Sequence, residues 1–222
     1  MLDKQDIEVS IDEKQLLCFF LSSGISSSKS ISIVNKLYSR FYTLYDIVYA
    51  DENDLLKIEG INIKKVKLLR SIPKLIEYYL LSSIRNNSID FKRKELIEYL
   101  KTKIGGLKFE SVVMVCLDIN RKIISIENIF RGTIDSATIY PRDLVEKALS
   151  LGSTYVILSH NHPSGVCSPS KEDISITEMI YKAFLMVNIK LVDHIVVTSN
   201  SHYSFRDNGI IDKYKDSVHI KY

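Results

Sequence analysis

The sequence predicts an α+β protein, in which a helical N-terminal domain precedes a mixed β-sheet flanked by helices. Two observations support this fold class. Between residue 11 and about residue 85, apolar residues recur at helical intervals, and no alternating strand pattern occurs. From about residue 107 onwards, short apolar strands alternate with helical segments, which is typical of an α/β sandwich around one sheet.

Four segments of the N-terminal region read as helices. QLLCFFLSSG predicts a short apolar helix that ends at Gly24, and SKSISIVNKLYSRF carries apolar residues at helical spacing. DENDLLKIEG begins with acids and ends at Gly60, as helices commonly do. INIKKVKLLRSIPKLIEYYLLSSI predicts a longer helix that is kinked or divided at Pro73, because proline has no backbone N–H to donate.

A polar, turn-like segment, IRNNSID, follows near residue 87 and predicts a domain boundary. FKRKELIEYLKTKIGGL then predicts a connecting helix that ends at Gly105 and Gly106. We therefore predict a helical domain over residues 1–87, a connecting helix over residues 88–106 and a sheet domain over residues 107–222.

The predicted sheet domain begins with two strands, ESVVMVCLD and IISIENIF, joined by a turn. YPRDLVEKALSLG predicts a helix with Pro141 in its first turn and Gly152 at its end. STYVILSH is a continuous apolar run, of the kind that forms a strand buried on both faces. SKEDISITEMIYKAFLMV predicts the next helix, and LVDHIVVTS and HYSFR predict two further strands.

The composition excludes several classes of protein. Hydrophobic residues make up 45% and charged residues 26% of the 222 residues, which are ordinary globular values. The N-terminus is charged and lacks the apolar core of a secretory signal, and the longest apolar runs are too short to span a bilayer. Three scattered cysteines favour a reducing compartment over a disulfide framework. We expect a cytoplasmic protein with no membrane partner.

Two histidines, His160 and His162, stand where the predicted strand STYVILSH ends. Residues two apart in an extended segment point the same way, so both imidazoles can bind one cation. Asp173 shares the apolar stripe of the next helix, which we predict to contain Ile176, Met179, Ile180, Ala183, Phe184 and Val187. A carboxylate that faces the sheet is costly without a partner, and a cation would supply one. The pattern therefore predicts a metal site.

Simpler interpretations of these residues stay open at this point. A histidine pair is often a hydrogen-bonded feature of a core or an accident of the surface. Ser170, three residues before Asp173, also fits a helix N-cap with an acid at the third position, and that role is compatible with a catalytic one. His194 alternates with Val192 and Val196 within a predicted strand, so we expect a structural hydrogen-bonding residue there.

The spacing from His160 to Asp173 resembles the JAMM (MPN+) metalloprotease signature, H-x-H-x7-S-x2-D. More narrowly, GTIDSATIYPRDLVEKAL, HNHPSG, PSKED and VDHIVV resemble the RadC-type (UPF0758) branch of that fold, and the resemblance covers about residues 12–211. It implies a JAMM/MPN-type sheet domain that is cytidine-deaminase-like. It also implies a zinc hydrolase in which His160, His162 and Asp173 bind one Zn²⁺.

The same resemblance implies a catalytic glutamate at the start of the first sheet strand. Glu110 opens ESVVMVCLD and matches that place. A carboxylate beside zinc-bound water can take its proton and pass it to the leaving amine. The alternative for Glu110 is a solvated charge at a strand end, and Glu127 is the second candidate base. Ser170 would help to hold the oxyanion of the tetrahedral intermediate, as its counterpart does in JAMM enzymes.

The sequence departs from the wider pattern at two places. Asn161 stands where many JAMM proteins have Ser or Thr, as in the RadC-type branch, so the resemblance does not imply eukaryotic deubiquitinase activity. After Gly165, Val166 and Cys167 replace the acidic or amide residue and the proline that RadC-like loops usually have. Cys167 is either a spectator thiol or, as a thiolate on the metal, an inhibitory ligand.

In the helical domain, DLLKIEGINIKKVKLL resembles a helix-hairpin-helix motif. The resemblance implies DNA-phosphate contacts from the hairpin residues Gly60, Asn62, Lys64 and Lys65. Asn62 replaces the second glycine of the motif. Residues 1–88 carry 12 Lys and Arg against 11 Asp and Glu, so any DNA binding should be weak.

Two functions follow from these observations. The first is a RadC-like zinc-dependent metallopeptidase or isopeptidase, which hydrolyses an amide bond in a peptide or protein of unknown identity through zinc-activated water. The alternative is a DNA-repair-associated nucleic-acid-binding protein with a structural or nucleolytic zinc. The complete ligand set with an open fourth position favours the first.

Overall fold

The computed structural model describes residues 12–24, 26–132 and 140–217. The chain forms two compact units, with the boundary between Pro73 and Lys74. This boundary lies inside a long helix and precedes the turn near residue 87, so the domain ranges drawn from the sequence stay a prediction. Within the described ranges, no helix combines the length and the apolar character that crossing a membrane requires.

Helices that pack around one core make up the first unit. They are α1 (Glu13–Leu21), α2 (Ser27–Arg40), α3 (Leu44–Tyr49), α4 (Glu52–Leu56) and the first part of α5 (Ile63–Ile84). The side chains of Asp12, Thr43 and Asp51 accept hydrogen bonds from backbone N–H groups at the starts of α1, α3 and α4. The helices meet in a core whose fully buried side chains include Leu37, Ile47, Leu55, Val66 and Leu69.

Two features of this region differ from the sequence prediction. The sequence does not predict α3, because six residues are too few to show helical periodicity. Pro73 does not divide α5, which continues from Ile63 to Ile84. The proline removes one backbone hydrogen bond, but the helix buries Leu69 before it and Ile84 after it, and this packing favours continuation.

Helices and one mixed sheet make up the second unit. α6 (Arg93–Leu100) leads into a π-helical turn (Lys101–Gly105), and α7 (Pro141–Ser150), α8 (Lys171–Met186) and α9 (Ile210–Ser217) follow. In the described residues, five strands lie in the order β2-β1-β3-β4-β5, with bounds β1 Glu110–Leu117, β2 Ile123–Gly132, β3 Tyr155–Asn161, β4 Lys190–Val197 and β5 His202–Ser204. β3 and β4 are parallel, and the other neighbours are antiparallel. The predicted mixed sheet flanked by helices is confirmed.

Alternate residues of the central strands face two separate cores. The core under α7, α8 and α9 contains, among others, Met114, Leu158, Val196, Leu144, Phe184 and Ile211. The core on the opposite face of the sheet contains, among others, Val113, Ile157, Ile195, Leu96 and Leu100. The sheet is therefore the middle layer of a sandwich, and the carboxyl ends of β3 and β4 emerge together at one edge.

Two details of this unit also differ from the prediction. The sequence does not predict α9, whose short segment IIDKYKDS is mostly polar. Met179, which the predicted stripe of α8 places in the core, is 52% exposed. The buried face of α8 is centred on Ile180 and its neighbours Thr177, Tyr181 and Phe184. Met179 lies about 100° round the helix from Ile180, at the edge of that face.

Candidate metal centre

Two histidine side chains meet at the C-terminal end of β3. His160 belongs to β3, and the backbone N–H of His162 donates to the carbonyl of Val197 over 3.1 Å, which prolongs the pairing with β4. The chain therefore stays extended through both histidines, and their side chains lie on the same face. The Nε2 atoms of His160 and His162 are 3.0 Å apart.

Asp173 reaches the same point from the first turn of α8. Its Oδ1 lies 3.2 Å from Nε2 of His160, and its Oδ2 lies 3.3 Å from Nε2 of His162. Only 18% of the Asp173 side chain is exposed. The carboxylate therefore faces the sheet, as its place on the apolar stripe predicts, and the three side chains converge.

A chain of buried hydrogen bonds assigns the proton on His160. Thr177 Oγ1 donates its only hydrogen to the carbonyl of Asp173 (2.5 Å), so it can only accept from Nδ1 of His194 (2.6 Å). His194 Nε2 then accepts from Nδ1 of His160 (2.8 Å), which leaves a lone pair on His160 Nε2. Burial holds the pKa of His194 well below its ordinary value, which keeps this ring neutral.

The loop after β3 fixes His162 in the same way. Its Nδ1 donates to the carbonyl of Val166 over 2.7 Å, so in the neutral ring its Nε2 presents a lone pair. The loop turns back at Gly165, whose φ is 81° and whose N–H donates to the carbonyl of His162 over 3.1 Å. Glycine adopts this left-handed conformation without a steric penalty.

Two lone pairs and a carboxylate at one point attract positive charge. Two nitrogen acceptors 3.0 Å apart repel each other unless a proton or a cation lies between them. The hydrogen bond to Asp173 raises the pKa of His162. Burial opposes ionisation of Asp173, but the close contacts with His160 and His162, which favour the carboxylate once positive charge is present, outweigh it and hold the pKa of that carboxyl far below its usual range.

The donor set fits zinc. In the part of the chain that the structure describes, His160, His162 and Asp173 form the group that could hold a metal ion, with ligand atoms within 4.8 Å of one another. Two imidazole nitrogens and one carboxylate oxygen are a ligand set of catalytic zinc sites, where a fourth position stays open. Both histidines donate their other N–H to a fixed partner, as metal-binding histidines commonly do. Cys167 is not a member of this group.

Glu110 lies at the start of β1, beside the histidines. Val112 pairs with His160 in the antiparallel register, and Glu110, two residues earlier in β1, lies on the same face of the sheet as Val112. A cavity of about 160 Å³ is lined by Glu110, Val112, Phe130, Leu144, Leu158, His160, Asp173, Ile176, Ile180 and His194. The structure therefore brings the predicted base and two of the three predicted ligands, His160 and Asp173, to one mostly apolar cavity.

Glu127, the second candidate base, is engaged elsewhere. Its carboxylate forms an ion pair with Lys147 at 2.9 Å and accepts a hydrogen bond from the hydroxyl of Ser125. These contacts, the Ser125 bond first, lower the pKa of Glu127 and weaken it as a base. It is not among the residues that line the cavity.

Ser170 and Asp173 form a capping box at the start of α8. The N–H of Asp173 donates to Oγ of Ser170 (3.0 Å), and the N–H of Ser170 donates to Oδ2 of Asp173 (2.8 Å). The Ser170 hydroxyl also donates to that Oδ2 (2.7 Å). The predicted N-cap is confirmed, and helix capping itself orients the carboxylate.

The sequence does not predict that Thr177 belongs to this site. For His194 it predicts a hydrogen-bonding residue but not the bond to His160. A signal for Thr177 exists, because it follows Asp173 by four residues and so lies on the same face of α8. Its role depends on β4 lying beside α8, which a sequence alone does not give.

In the first unit, three of the residues predicted to contact DNA phosphate, Gly60, Asn62 and Lys65, form hydrogen bonds with one another. Gly60 has a φ of 92°, and a Cβ there would lie 2.8 Å from the side chain of Ile33. Oδ1 of Asn62 accepts the N–H of Lys65 (3.0 Å), and the ammonium of Lys65 donates to the carbonyl of Gly60 (2.9 Å). These contacts shape the turn before α5. The helix-hairpin-helix assignment and the DNA contacts, including that of Lys64, stay predictions.

Comparison with known proteins gives one family. The model of the RadC-like JAB domain matches residues 91–210. A UPF0758 protein of Nitrosomonas eutropha is 30% identical over 201 residues, which cover 90% of each chain. A UPF0758 protein of Aliivibrio fischeri strain MJ11 is 31% identical over 91% of this chain and 90% of its own length. A UPF0758 protein of Cupriavidus pinatubonensis is 31% identical over 90% of this chain and 87% of its own length. The matched ranges include the candidate metal centre.

Proposed function

The chain belongs to the RadC-like JAB domain family, and from this premise we propose that it is a zinc-dependent metallopeptidase or isopeptidase. It hydrolyses an amide bond in a peptide or protein substrate. The observation that carries this proposal is the convergence of the Nε2 atoms of His160 and His162 and the carboxylate of Asp173 beside the cavity that Glu110 lines.

His160, His162 and Asp173 would hold the zinc, one atom each. When bound, zinc polarises a carbonyl and makes water a nucleophile near neutral pH. The protein contributes the orientation of the ligands, since Thr177 and His194 fix His160 and the capping box fixes Asp173. Apolar side chains such as Leu158 and Ile176 limit the water around the reacting amide.

Glu110 acts as the general base and then as the general acid. Its carboxylate takes a proton from the attacking water and returns it to the nitrogen of the leaving amine. The cavity that Glu110 lines together with His160 and Asp173 supports this role, because the proton has to move between a point beside the ligands and the scissile nitrogen. The ion pair of Glu127 with Lys147 supports Glu110 over this second candidate base.

Ser170 donates a hydrogen bond to the oxygen of the scissile carbonyl as negative charge develops there. In the structure its hydroxyl hydrogen is directed to Oδ2 of Asp173 (2.7 Å). The cap needs Oγ only as an acceptor, since the N–H of Asp173 donates to it (3.0 Å). Rotation of the hydroxyl hydrogen therefore leaves the cap intact while the donor serves the substrate.

Metal analysis combined with a peptide-library cleavage assay tests this function. Wild type should hold one zinc per chain and cleave a subset of the library. Asp173→Ala should lose both properties, and Glu110→Gln should lose cleavage only. Stoichiometric zinc in Asp173→Ala would refute the site, and cleavage by Glu110→Gln at the wild-type rate would refute the role of the base.

A further inference from the structure

The residue between the two histidines, Asn161, makes contacts that neither the metal nor the helix cap requires. It is fully buried, at 0% exposure. We propose that Asn161 is a positioning residue, which sets the direction of the Glu110 side chain relative to His160 and His162. This inference rests on the proposed function, because it assigns Asn161 to the general base of that reaction.

Three hydrogen bonds join the Asn161 amide to the segment that enters β1. Its Oδ1 accepts the N–H of Ser111 over 2.8 Å. Its Nδ2 donates to the carbonyl of Phe109 over 3.0 Å and to that of Leu107 over 3.3 Å. All the hydrogen-bonding groups of a primary amide except one acceptor lone pair are therefore used on this segment.

The position of these bonds explains their effect on Glu110. The carbonyl of Phe109 and the N–H of Ser111 belong to the two peptide units on either side of Glu110. Since peptide units are planar, holding both of them fixes φ and ψ of Glu110 and with them the direction of its Cα–Cβ bond. One side chain thereby orients the backbone of the base.

The bonds also replace a missing part of the sheet. Backbone pairing between β1 and β3 ends at Val112 and His160. If the pairing continued by one residue, Ser111 would face Asn161. There the N–H of Ser111 donates to the side-chain Oδ1 of Asn161, which acts in place of a main-chain carbonyl. The two strands thus stay linked, and the link lies in the same two strands that carry Glu110 and His160.

A close contact fixes the other end of the same segment. A Cβ on Gly105 would lie 2.5 Å from the carbonyl oxygen of Thr198, just after β4. The segment from Gly105 to Glu110 therefore crosses the ends of β4 and β3, held at Thr198 by close approach and at Asn161 by hydrogen bonds.

The chemistry requires an amide at this position. Serine or threonine is too short to reach both peptide units and offers a single donor, and aspartate offers no donor at all when ionised. Asn161→Asp keeps the shape and the acceptor for Ser111, but it removes two donors and places a charge against two carbonyls. It is the matched variant, and Asn161→Ser is the second variant in case the buried charge prevents folding.

The first test needs no substrate. Hydrogen exchange of the apo-protein should be faster in residues 107–113 of both Asn161 variants than in wild type. The control is Ser204→Ala, which alters a buried polar cluster with Arg93 and Asp193. This control should leave the exchange rate of residues 107–113 unchanged. After cobalt loading, Asn161→Asp and Glu110→Gln should show the same altered visible spectrum at full metal occupancy. A wild-type exchange rate at Ser111 in the Asn161 variants would overturn the proposal. So would a wild-type cobalt spectrum in Asn161→Asp when the spectrum of Glu110→Gln is altered.

The second test uses a cleaved peptide from the library. A misdirected base lowers kcat, by about 100-fold for a displacement of about 1 Å, and leaves KM nearly unchanged. In the Glu110→Gln background, Asn161→Asp should lower kcat no further, because both changes act on one group. A further loss of the same size would show a merely structural role. If wild type cleaves nothing, the proposed function fails while exchange and spectra still decide on Asn161.

Discussion

Nδ1 of His160 lies 2.8 Å from Nε2 of His194, so a residue in β4 determines which nitrogen of a β3 histidine faces the candidate metal site. The link works because His194 is itself held by Thr177 and is kept neutral by burial. A change at His194 therefore alters the ligand without touching the metal-binding atoms.

Replacing His194 by phenylalanine should weaken zinc binding. The new ring can keep the stacking on Phe205, whose centroid lies 4.9 Å from that of His194, but it accepts no hydrogen bond from His160. Loss of such an outer partner typically lowers metal affinity about 10–100-fold. Competition with a chromophoric chelator measures the affinity.

The matched control for that variant is His202→Phe, which makes the same substitution at an exposed position of β5. Its zinc affinity should equal that of wild type. A wild-type affinity in His194→Phe as well would show that the bond to His160 has no influence on the metal.

Two substitutions at Asp173 separate its two roles. Asp173→Asn can still accept the N–H of Ser170, so the apo-protein should keep the helix cap while zinc is lost with the charge. Asp173→Ala should lose zinc and, in addition, about 0.5–2 kcal/mol of stability with the cap. Metal analysis and thermal unfolding with and without chelator measure both effects.

Glu172→Gln is the control for Asp173, because it removes an exposed acid from the same helical turn. It should bind zinc as wild type does, and chelator should lower its melting temperature by the same amount. Equal zinc content in Asp173→Asn and Glu172→Gln would contradict the ligand assignment.

The sequence predicts much of the site because local geometry determines it. Residues two apart on a strand, and one residue on the stripe of the next helix, are enough to predict that His160, His162 and Asp173 converge. The sequence does not predict the partners that depend on strand order. The bond from His194 to His160 requires that β4 lie beside β3 and that α8 cover both, and those facts enter only with the topology.

The errors in the fold predicted from the sequence also arise where tertiary packing, and not local pattern, decides the structure. α3 and α9 are short, so their periodicity is weak, and tertiary packing rather than pattern stabilises them. Pro73 alone predicts that α5 is kinked or divided, and the structure contradicts the division, because buried residues before and after Pro73 favour one helix. The exposed Met179 shows that the spacing of apolar residues predicts the buried face of a helix only to within about one residue, which is roughly 100° of rotation about the helix axis.

Glu77 should make the stability of the second unit depend on pH. Its side chain is 11% exposed, and its carboxylate pairs with Lys74 at 2.8 Å and with Lys103 at 3.0 Å. Burial opposes ionisation, but the two lysines outweigh it and lower the pKa of Glu77 below its ordinary 4.5. A depressed pKa stabilises the folded state above the unfolded-state pKa, and this stabilisation is lost as pH falls through the folded-state pKa.

Glu77→Gln should therefore lower the free energy of unfolding by about 1–3 kcal/mol at neutral pH, and the difference from wild type should shrink as the pH falls below 4.5. Urea unfolding across that range measures it. The control is Glu98→Gln, whose pair with Lys101 is more than half exposed on the glutamate side and should contribute little at any pH. A difference that is independent of pH would show that packing, and not charge, explains the effect.

Glu110→Gln should abolish most hydrolysis while zinc stays bound. The amide keeps the size of the side chain in the cavity but cannot take a proton, and loss of a positioned base costs about 10²–10⁴-fold in kcat. Glu127→Gln is the matched control, since that glutamate is paired with Lys147 outside the cavity lining, and its kcat should remain that of wild type. Measuring kcat and zinc content for both variants decides between the two candidate bases, and the reverse pattern would assign the proton transfer to Glu127.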